Sequence, residues 1–309
     1  MPNIIEYAEI WTTALDQQAI QGATSGWMED NASQVQYVGG KKVKVPEMLT
    51  TGLGDYGRGT GAKNRGKYAK GKIELKYTDY ELEEDRGAEF AFDRHDVDES
   101  AFIVQAPTVM GKFQREHVIP EIDSFRYSKI AQIVMAQGSD AYKAQVITKN
   151  NVLDEFLAQI RAMQNVTGID TESLVATMPY SIYSILERSA EIAKSISVSQ
   201  FTQGNLGFEV KSINGVPIRP VVEDRMKTEY IFYDGESKLG YEEAAGAKTI
   251  NWLITPRQLP IAISKTDNLK VFTPDENQNG DDWLIQYRKY HDLWILRNQL
   301  NQIIVSIAS

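Results

Sequence analysis

The sequence of 309 residues contains no cysteine, which excludes disulfide bonds, thiol nucleophiles and thiolate metal sites. Histidine is almost as scarce, since the chain has only His95, His117 and His291. No run of apolar residues approaches the ~18 that a membrane-spanning helix needs. The N-terminal residues "MPNIIEYAEI" lack the basic and then apolar layout of a signal peptide. We therefore expect a protein that is made and kept inside a cell and has no membrane partner.

Hydrophobic residues make up 42% of the chain and charged residues 24%, a balance typical of a globular protein with one or two domains. The net charge of −9 argues against a surface built throughout to neutralise nucleic-acid phosphates. Basic residues are nevertheless concentrated, because seven lie between Arg58 and Lys76 against one acid, Glu74. The segment from Glu81 to Glu99 is strongly acidic. This asymmetry predicts ionic pairing between copies of the chain.

The glycine-rich segment from Gly52 to Lys72 nearly matches two nucleotide-binding motifs. The spacing G-x-G-x-x-G is present, but no helix pattern follows whose N-terminus could face a pyrophosphate. The spacing G-x-x-x-x-G-K is also present, but Tyr68 replaces the hydroxyl residue that binds Mg²⁺, and a strand pattern follows. A nucleotide-binding enzyme that uses this loop is the disfavoured alternative. The motif residues are Gly52, Gly54 and Gly57, and Gly61, Gly66 and Lys67.

Other chemical sites are weakly indicated. Acidic residues surround His95, but the spacing lacks the glycine and distal glutamate of a calcium loop, and one histidine is too few for a typical zinc site. His291 and Asp292 could form half of an acid–base pair, but no nucleophile accompanies them. Aromatic and basic residues alternate from Tyr56 to Tyr77, a pattern that suits single-stranded nucleic acid or a subunit contact equally well. We therefore predict no catalytic residue, no cofactor and no metal.

Hydrophobic periodicity predicts mixed secondary structure. Apolar spacings of three and four predict a short amphipathic helix over 3–20. Alternating runs around Gly39 and Gly40 predict a tight hairpin. A strand is predicted to arrive near Val45 and another to leave near Lys72, with about twenty glycine-rich residues between them, which is unusual inside a compact domain. These features together predict a long hairpin with a polar tip.

After the hairpin, the sequence pattern predicts mainly helices and then mainly strands. Asp96 and Glu99 have the spacing of a capping box at the start of a long helix that Pro107 should kink. A helical pattern resumes at "IPEIDSF" and stops at Gly138, and "VLDEFLAQIRAMQN" predicts a further helix. "SLVATMP" predicts a strand, "YSIYSILERSA" a helix, and the rest short strands between turns, among them "DDWLIQYRKYHDLWILRN", where we expect a half-buried His291. The fold class is α+β, without repeats or a doubly wound sheet.

The order of these features resembles the major capsid proteins of tailed bacteriophages with the HK97-type fold. The stretches most similar to that family are "KKVKVPEMLTTGLGDYGRGTG", "ELEEDRGAEFAFDRHDVDES" with "FQREHVIPEIDSFRYSKIA", "RPVVEDRMKTEYIFYDG" and "VFTPDENQNGDDWLIQYRKYHDLWILRNQ". The resemblance covers most of the chain and implies an HK97-like capsid fold. It places the spine helix at Ala101 to Val118. It implies an N-terminal arm (1–30), an extended β-hairpin or E-loop (31–84), a peripheral domain with the spine helix (85–149 and 267–298) and an axial domain (150–266 and 299–309).

The resemblance further implies a structural protein and not an enzyme. It would self-assemble into hexamers and pentamers of an icosahedral head that encloses dsDNA. Because the hairpin begins within about thirty residues of Met1, we expect a separate scaffolding protein besides a portal, and only weak, non-specific contact with the packaged DNA. A covalent cross-link between subunits is not assigned, because the loop offers four lysines and no defined partner. An encapsulin-like compartment with the same fold is the nearest alternative.

The E-loop tip is expected to lie on a neighbouring subunit. The predicted contact residues of the tip are Tyr56, Arg58, Lys63, Arg65, Lys67 and Lys70. The predicted acidic partner region on the neighbour contains Glu81, Glu83, Glu84, Asp85, Asp96 and Asp98. A long hairpin with a polar tip cannot bury its own surface, so it needs such a partner.

Overall fold

The chain divides into two compact units. The hairpin unit is Ser33–Leu82, and the main unit contains Met1–Ala32 and Glu83–Ser309. The helix predicted at 3–20 and the features predicted at Asp96, Glu99 and Pro107 lie outside the described residues. The computed structural model describes 22–34, 36–39, 42–54, 56, 68, 70–93, 109–189, 196–203, 206–236, 238–278 and 280–309.

The hairpin unit is a three-stranded antiparallel sheet in the order β1-β2-β3. Its strands are β1 (Gln36–Gly39), β2 (Lys42–Thr50) and β3 (Ile73–Glu81). The pairing of β1 with β2 confirms the tight hairpin. The pairing of β2 with β3 confirms that strands flank the glycine-rich segment. Beyond the last strand pair, the Thr51 amide donates to the Lys72 carbonyl at 3.1 Å and the Lys72 amide donates to the Thr51 hydroxyl at 2.9 Å.

The largest sheet of the main unit is mixed, with antiparallel pairs and two parallel ones, β6 with β9 and β15 with β5. Its strands in spatial order are β5 (Tyr142–Ala144), β15 (Ile304–Ile307), β12 (Ile250–Pro256), β6 (Leu174–Pro179), β9 (Val216–Val221), β8 (Leu206–Ile213) and β7 (Ile196–Gln203). The last described strand in sequence, β15, is therefore an interior strand of this sheet.

Helices cover both faces of this sheet. They are α1 (Ile119–Met135), α2 (Val152–Thr167) and α3 (Tyr180–Glu187). Side chains alternate along β12, so Leu253 joins the core cluster of α1 while Trp252 and Ile254 join the cluster of α2 and α3. Trp27 and Met28, from a 3-10 helix at Gly26–Gln34, complete the α1 side of the core.

A second sheet has the order β13-β14-β4. Its strands are β13 (Ile261–Phe272), β14 (Asp282–Trp294) and β4 (Glu84–Asp93). Met110 and Phe113 pack against it with Ile285 and Tyr287 in a core of their own. The helix that begins by residue 109 passes through a π-helical turn at Gln114–Val118 and continues directly into α1.

Shorter elements complete the main unit. A two-stranded ribbon pairs β10 (Tyr230–Phe232) with β11 (Tyr241–Glu243), and 3-10 turns lie at Thr171–Ser173, Glu223–Arg225 and Arg297–Gln302.

The predicted helices and strands that lie within the described residues are confirmed in type. The helix predicted to stop at Gly138 ends at Met135, and Gly138 has a φ of +121°, a conformation that glycine adopts without strain. The predicted helix at "VLDEFLAQIRAMQN" is α2, and it ends at Gly168 with a φ of +66°. His291 does lie in a strand, but it is fully rather than half buried.

Candidate inter-subunit surface

The two faces of the ribbon of β2 and β3 differ: one carries Met48 with apolar side chains of β3, and the other carries the buried Val43 and Val45 and the half-exposed Leu49. The register pairs Met48 with Leu75 and Thr50 with Ile73, and side chains two residues apart share a face of a strand. Leu75 and Ile73 therefore lie on the same face as Met48, and Tyr77 continues that face along β3. Glu74 and Lys76 point to the other side, as the alternation in the sequence predicts.

This apolar face is open to solvent in the chain. Met48 is 62% exposed, Ile73 73% and Leu75 54%, and Tyr77 is also exposed. Leu53, just beyond the ribbon, is fully exposed. Contiguous exposed apolar side chains of this kind typically mark a surface for another macromolecule. We call Met48, Ile73, Leu75 and Tyr77 the apolar hairpin face.

The polar tip predicted from the sequence is described only in part. Tyr56 and Tyr68 are both exposed, and their ring centroids lie 5.1 Å apart in a tilted arrangement. Lys70 is exposed as well. Tyr56 belongs to the predicted contact residues and Tyr68 does not, and the structure places their two rings side by side. Arg58, Lys63, Arg65 and Lys67 lie outside the described residues.

The predicted acidic region is partly occupied by cations of the same chain. The Asp85 carboxylate accepts hydrogen bonds from Arg288 Nε at 2.8 Å and Nη2 at 2.6 Å. Glu83 pairs with Lys129 at 3.3 Å while remaining largely exposed. Burial raises the pKa of Glu84, and the nearby charge of Arg86 opposes that rise.

Of the other three predicted acidic residues, the structure describes only Glu81. Glu81 is exposed and lies in the hairpin unit, whereas Asp96 and Asp98 are outside the described residues. Glu83 is thus the most accessible carboxylate of the region among those of the main unit that the structure describes.

Sequence reasoning missed the exposure of the apolar hairpin face. The alternation of Ile73, Leu75 and Tyr77 was visible, but periodicity does not tell whether an apolar face is covered by its own chain. The usable signal was the length of the predicted hairpin, because a long two-stranded ribbon cannot cover all of its own apolar side chains.

Within the part of the chain that the structure describes, no group of three or more His, Asp or Glu side chains could hold a metal ion. No helix among these residues is both long and apolar enough to cross a membrane.

Comparison with known proteins shows the fold. No protein-family profile matches the sequence, and no curated protein matches it either. Solved structures do match, at low identity. The mature capsid of bacteriophage PhiM1 has a TM-score of 0.56 and 10% identity, over 87% of this chain and 82% of that one. The capsid of cyanophage P-SCSP1u has a TM-score of 0.54 and 10% identity, over 89% and 85%.

A third similar structure comes from an archaeon. The virus-like particle from Pyrococcus furiosus has a TM-score of 0.53 and 12% identity, over 97% of this chain and 99% of that one. The chain therefore has the HK97-type capsid fold. This result confirms the α+β class and the fold that the resemblance predicted.

Proposed function

We propose that the chain is the major capsid protein of a tailed-phage head and assembles into hexamers and pentamers of an icosahedral shell around dsDNA. The observation that carries the proposal is the apolar hairpin face, because a two-stranded ribbon that exposes a continuous apolar side is poorly stable without a partner. The fold supports the same conclusion, since the similar structures include two phage capsids. A repeated contact of this kind closes into rings and shells.

Electron microscopy of the purified full chain tests this proposal. We expect closed shells or tubes, with capsomers of six and five subunits. Sedimentation at rising protein concentration should show assembly above a threshold. A protein that stays monomeric at high concentration, both with and without a crowding polymer, would contradict the proposal.

We further propose the domain division that the resemblance implies. The E-loop would be 31–84, the peripheral domain 85–149 with 267–298, and the axial domain 150–266 with 299–309. What supports the division is that the β13-β14-β4 sheet draws its strands from the proposed peripheral segments, apart from the start of β13 and the first residue of β4, Glu84. The strands of the larger sheet come from the proposed axial segments, with β5 as the exception.

The basic tip of the E-loop is proposed to contact the acidic region of a neighbour. Glu83 best supports the acidic side, because it is largely exposed although paired with Lys129. Asp85 is held by Arg288, so its contribution is expected to be smaller. The test reverses Arg58, Lys63 and Arg65 to Glu. Unchanged assembly and unchanged salt resistance of the shells would remove ionic pairing from the proposal.

We propose that this head forms in the host cytoplasm with a separate scaffolding protein and a portal, and that the shell lining holds DNA weakly. The net charge of −9 supports a lining without strong affinity for phosphate. An encapsulin-like compartment is the second candidate, because the archaeal virus-like particle aligns over nearly the whole of both chains. Particles that co-purify with DNA and tail structures favour the phage head, whereas particles filled with an enzyme cargo favour the compartment.

A further inference from the structure

Helix α1 of the main unit bonds to the chain near both places where it passes between the main unit and the hairpin unit. The chain leaves the main unit after Ala32 and re-enters it at Glu83. Two cations of α1, Arg126 and Lys129, lie three residues apart and therefore project from nearly the same side of the helix. Each cation holds a different crossing, and every residue of this arrangement belongs to the main unit.

The departing chain is held by buried polar contacts. Arg126, which is almost fully buried, forms an ion pair with Glu29. Both side chains also bond to Ser264 of β13, at 3.0 Å from Arg126 Nη2 and 2.9 Å from Glu29 Oε1. Asn31, one residue before the crossing, donates from Nδ2 to the carbonyls of Arg257 and Pro260, both at 2.8 Å.

The preceding turn is fixed by the same helix. Asp123 is fully buried and accepts hydrogen bonds from the amides of Thr24 and Ser25, both at 3.0 Å. It also accepts from their hydroxyls, at 2.8 Å and 2.6 Å, and from Arg225 Nη1 at 3.0 Å. Buried carboxylates with this many donors are strongly localised, because each bond lost leaves a buried polar group unpaired.

The returning chain is held by Lys129 and Asp292. The fully buried Asp292 carboxylate pairs with Lys129 and accepts a hydrogen bond from the Glu83 amide at 3.2 Å. Lys129 also pairs with the Glu83 side chain at 3.3 Å. The amide of Leu293 donates to Asp292 at 2.6 Å. Both the backbone and the side chain of the first residue after the hairpin unit are therefore bonded.

The two anchor points lie next to each other on paired strands. In the register of β13 with β14, Ser264 is opposite His291 and Ile263 is opposite Asp292. Ser264, which binds Arg126, and Asp292, which binds Lys129, therefore belong to adjacent residue pairs of this ladder. A single helix and a single strand pair hold both ends of the hairpin unit.

We propose that Arg126 and Lys129 of α1 form a root clamp, a device that fixes both ends of the hairpin unit and confines its bending to residues 33–82. The clamp leaves the hairpin attached at two neighbouring points, so it can change shape while its attachment stays in place. The clamp itself does not depend on the proposed shell. The clamp has a consequence for assembly, because neighbouring subunits would then contact a hairpin whose two ends are held in place. This consequence rests on the proposed function.

Hydrogen exchange on the unassembled full chain tests the clamp. Lys129→Met removes the cation and keeps much of the aliphatic stem, and Glu29→Gln removes the partner of Arg126. Lys238→Met, which breaks an exposed pair with Glu242 in the main unit, is the matched control. Loss of a charge-assisted hydrogen bond should speed exchange of the amides it protects roughly 10- to 100-fold.

We expect Lys129→Met to speed exchange in peptides that cover 83–86, and Glu29→Gln to speed it in peptides that cover 26–32. Peptides from β6 and β12 should be accelerated less than these, and all peptides of Lys238→Met should exchange as in the wild type. Unchanged exchange at 83–86 in Lys129→Met would overturn the clamp. An equal acceleration in β6 and β12 would also overturn it, because the pair would then support global stability alone.

A separate readout distinguishes the clamp from the proposed function. If the wild-type chain forms shells, both clamp variants should give particles of mixed size, and Lys238→Met should not. If the wild-type chain forms no shells, the proposed function fails while the exchange result still decides the clamp. Uniform particles from both variants, together with wild-type exchange rates, would refute both the clamp and its consequence.

Discussion

Replacing the apolar hairpin face should weaken assembly without unfolding the chain. We consider the triple substitution Met48→Thr, Ile73→Thr and Leu75→Thr. Threonine keeps the preference for extended backbone, so the ribbon of β2 and β3 should persist. The three side chains are more than half exposed within the chain, so their loss removes little that stabilises the monomer.

The magnitude follows from the exposed fraction. Full burial of a Leu, Ile or Met side chain contributes about 1.5–3 kcal/mol. Since Met48, Ile73 and Leu75 are 62%, 73% and 54% exposed, roughly 1 kcal/mol each is still available at a contact. The three together amount to about 3 kcal/mol, which corresponds to a roughly hundredfold weaker contact.

The assay is the protein concentration at which particles appear, followed by sedimentation and electron microscopy. We expect the threshold to rise strongly in the triple variant, with an unchanged melting temperature. A matched pair of single variants tests which face is used. Leu75→Thr changes the apolar hairpin face and Leu49→Thr the opposite face of the ribbon, at 54% and 50% exposure. An equal effect of the two, or a wild-type threshold in the triple variant, would refute the reasoning.

Three further predictions concern the stability of the main unit, measured by urea denaturation. Asp123→Ala leaves buried donors and a cation unpaired, so the free energy of unfolding should fall by about 3 kcal/mol. The control Asp140→Ala, at an exposed position, should change it by less than about 0.5 kcal/mol. Similar values for both variants would contradict a stabilising role of the hydrogen bonds to Asp123. Burial and neighbouring cations hold the pKa of His291 well below its usual range. Below about pH 6.5 the unfolded chain therefore binds a proton that the folded chain does not. Between pH 6 and 5 the free energy of unfolding of the wild type should fall by about 1.4 kcal/mol per pH unit relative to that of His291→Phe. Parallel pH profiles of the two proteins would contradict this. Gly87→Ala places a Cβ 3.0 Å from a carbonyl oxygen of the paired strand and should cost about 1–2 kcal/mol. Gly52→Ala, with open space around it, should be neutral, and equal losses would argue against steric crowding.

Elements with strong local signals could be predicted from the sequence. The apolar spacing in α2 and the continuous apolar run in β6 identify those elements because local pattern and tertiary environment agree. No strand was predicted at β4, where charges dominate "EDRGAEFAFD". Its pairing with β14, nearly 200 positions away, and the packing of Phe90 and Phe92 in the cluster of Met110 and Ile285 decide its structure.

The candidate surface and the clamp were predictable to different degrees. The polar tip could be recognised because glycine and basic residues are concentrated there. The clamp could not, since Asp123 and Arg126 resemble ordinary polar positions on a helix and their partners lie about 100 residues earlier in the chain. Helical periodicity reports which side is apolar, but α1 buries polar residues as well. Only tertiary contacts distinguish a buried ion pair from a solvated one.

The interior position of β15 has a consequence for the timing of synthesis. Val305 and Ile307 share a core cluster with Trp27 and Met28, and β15 lies between β5 and β12. A ribosome therefore releases nearly the whole main unit before the strand that completes its sheet can emerge. Chains truncated before Ile304 would lack this interior strand and the buried side chains of Val305 and Ile307, so we expect them not to complete the fold of the main unit.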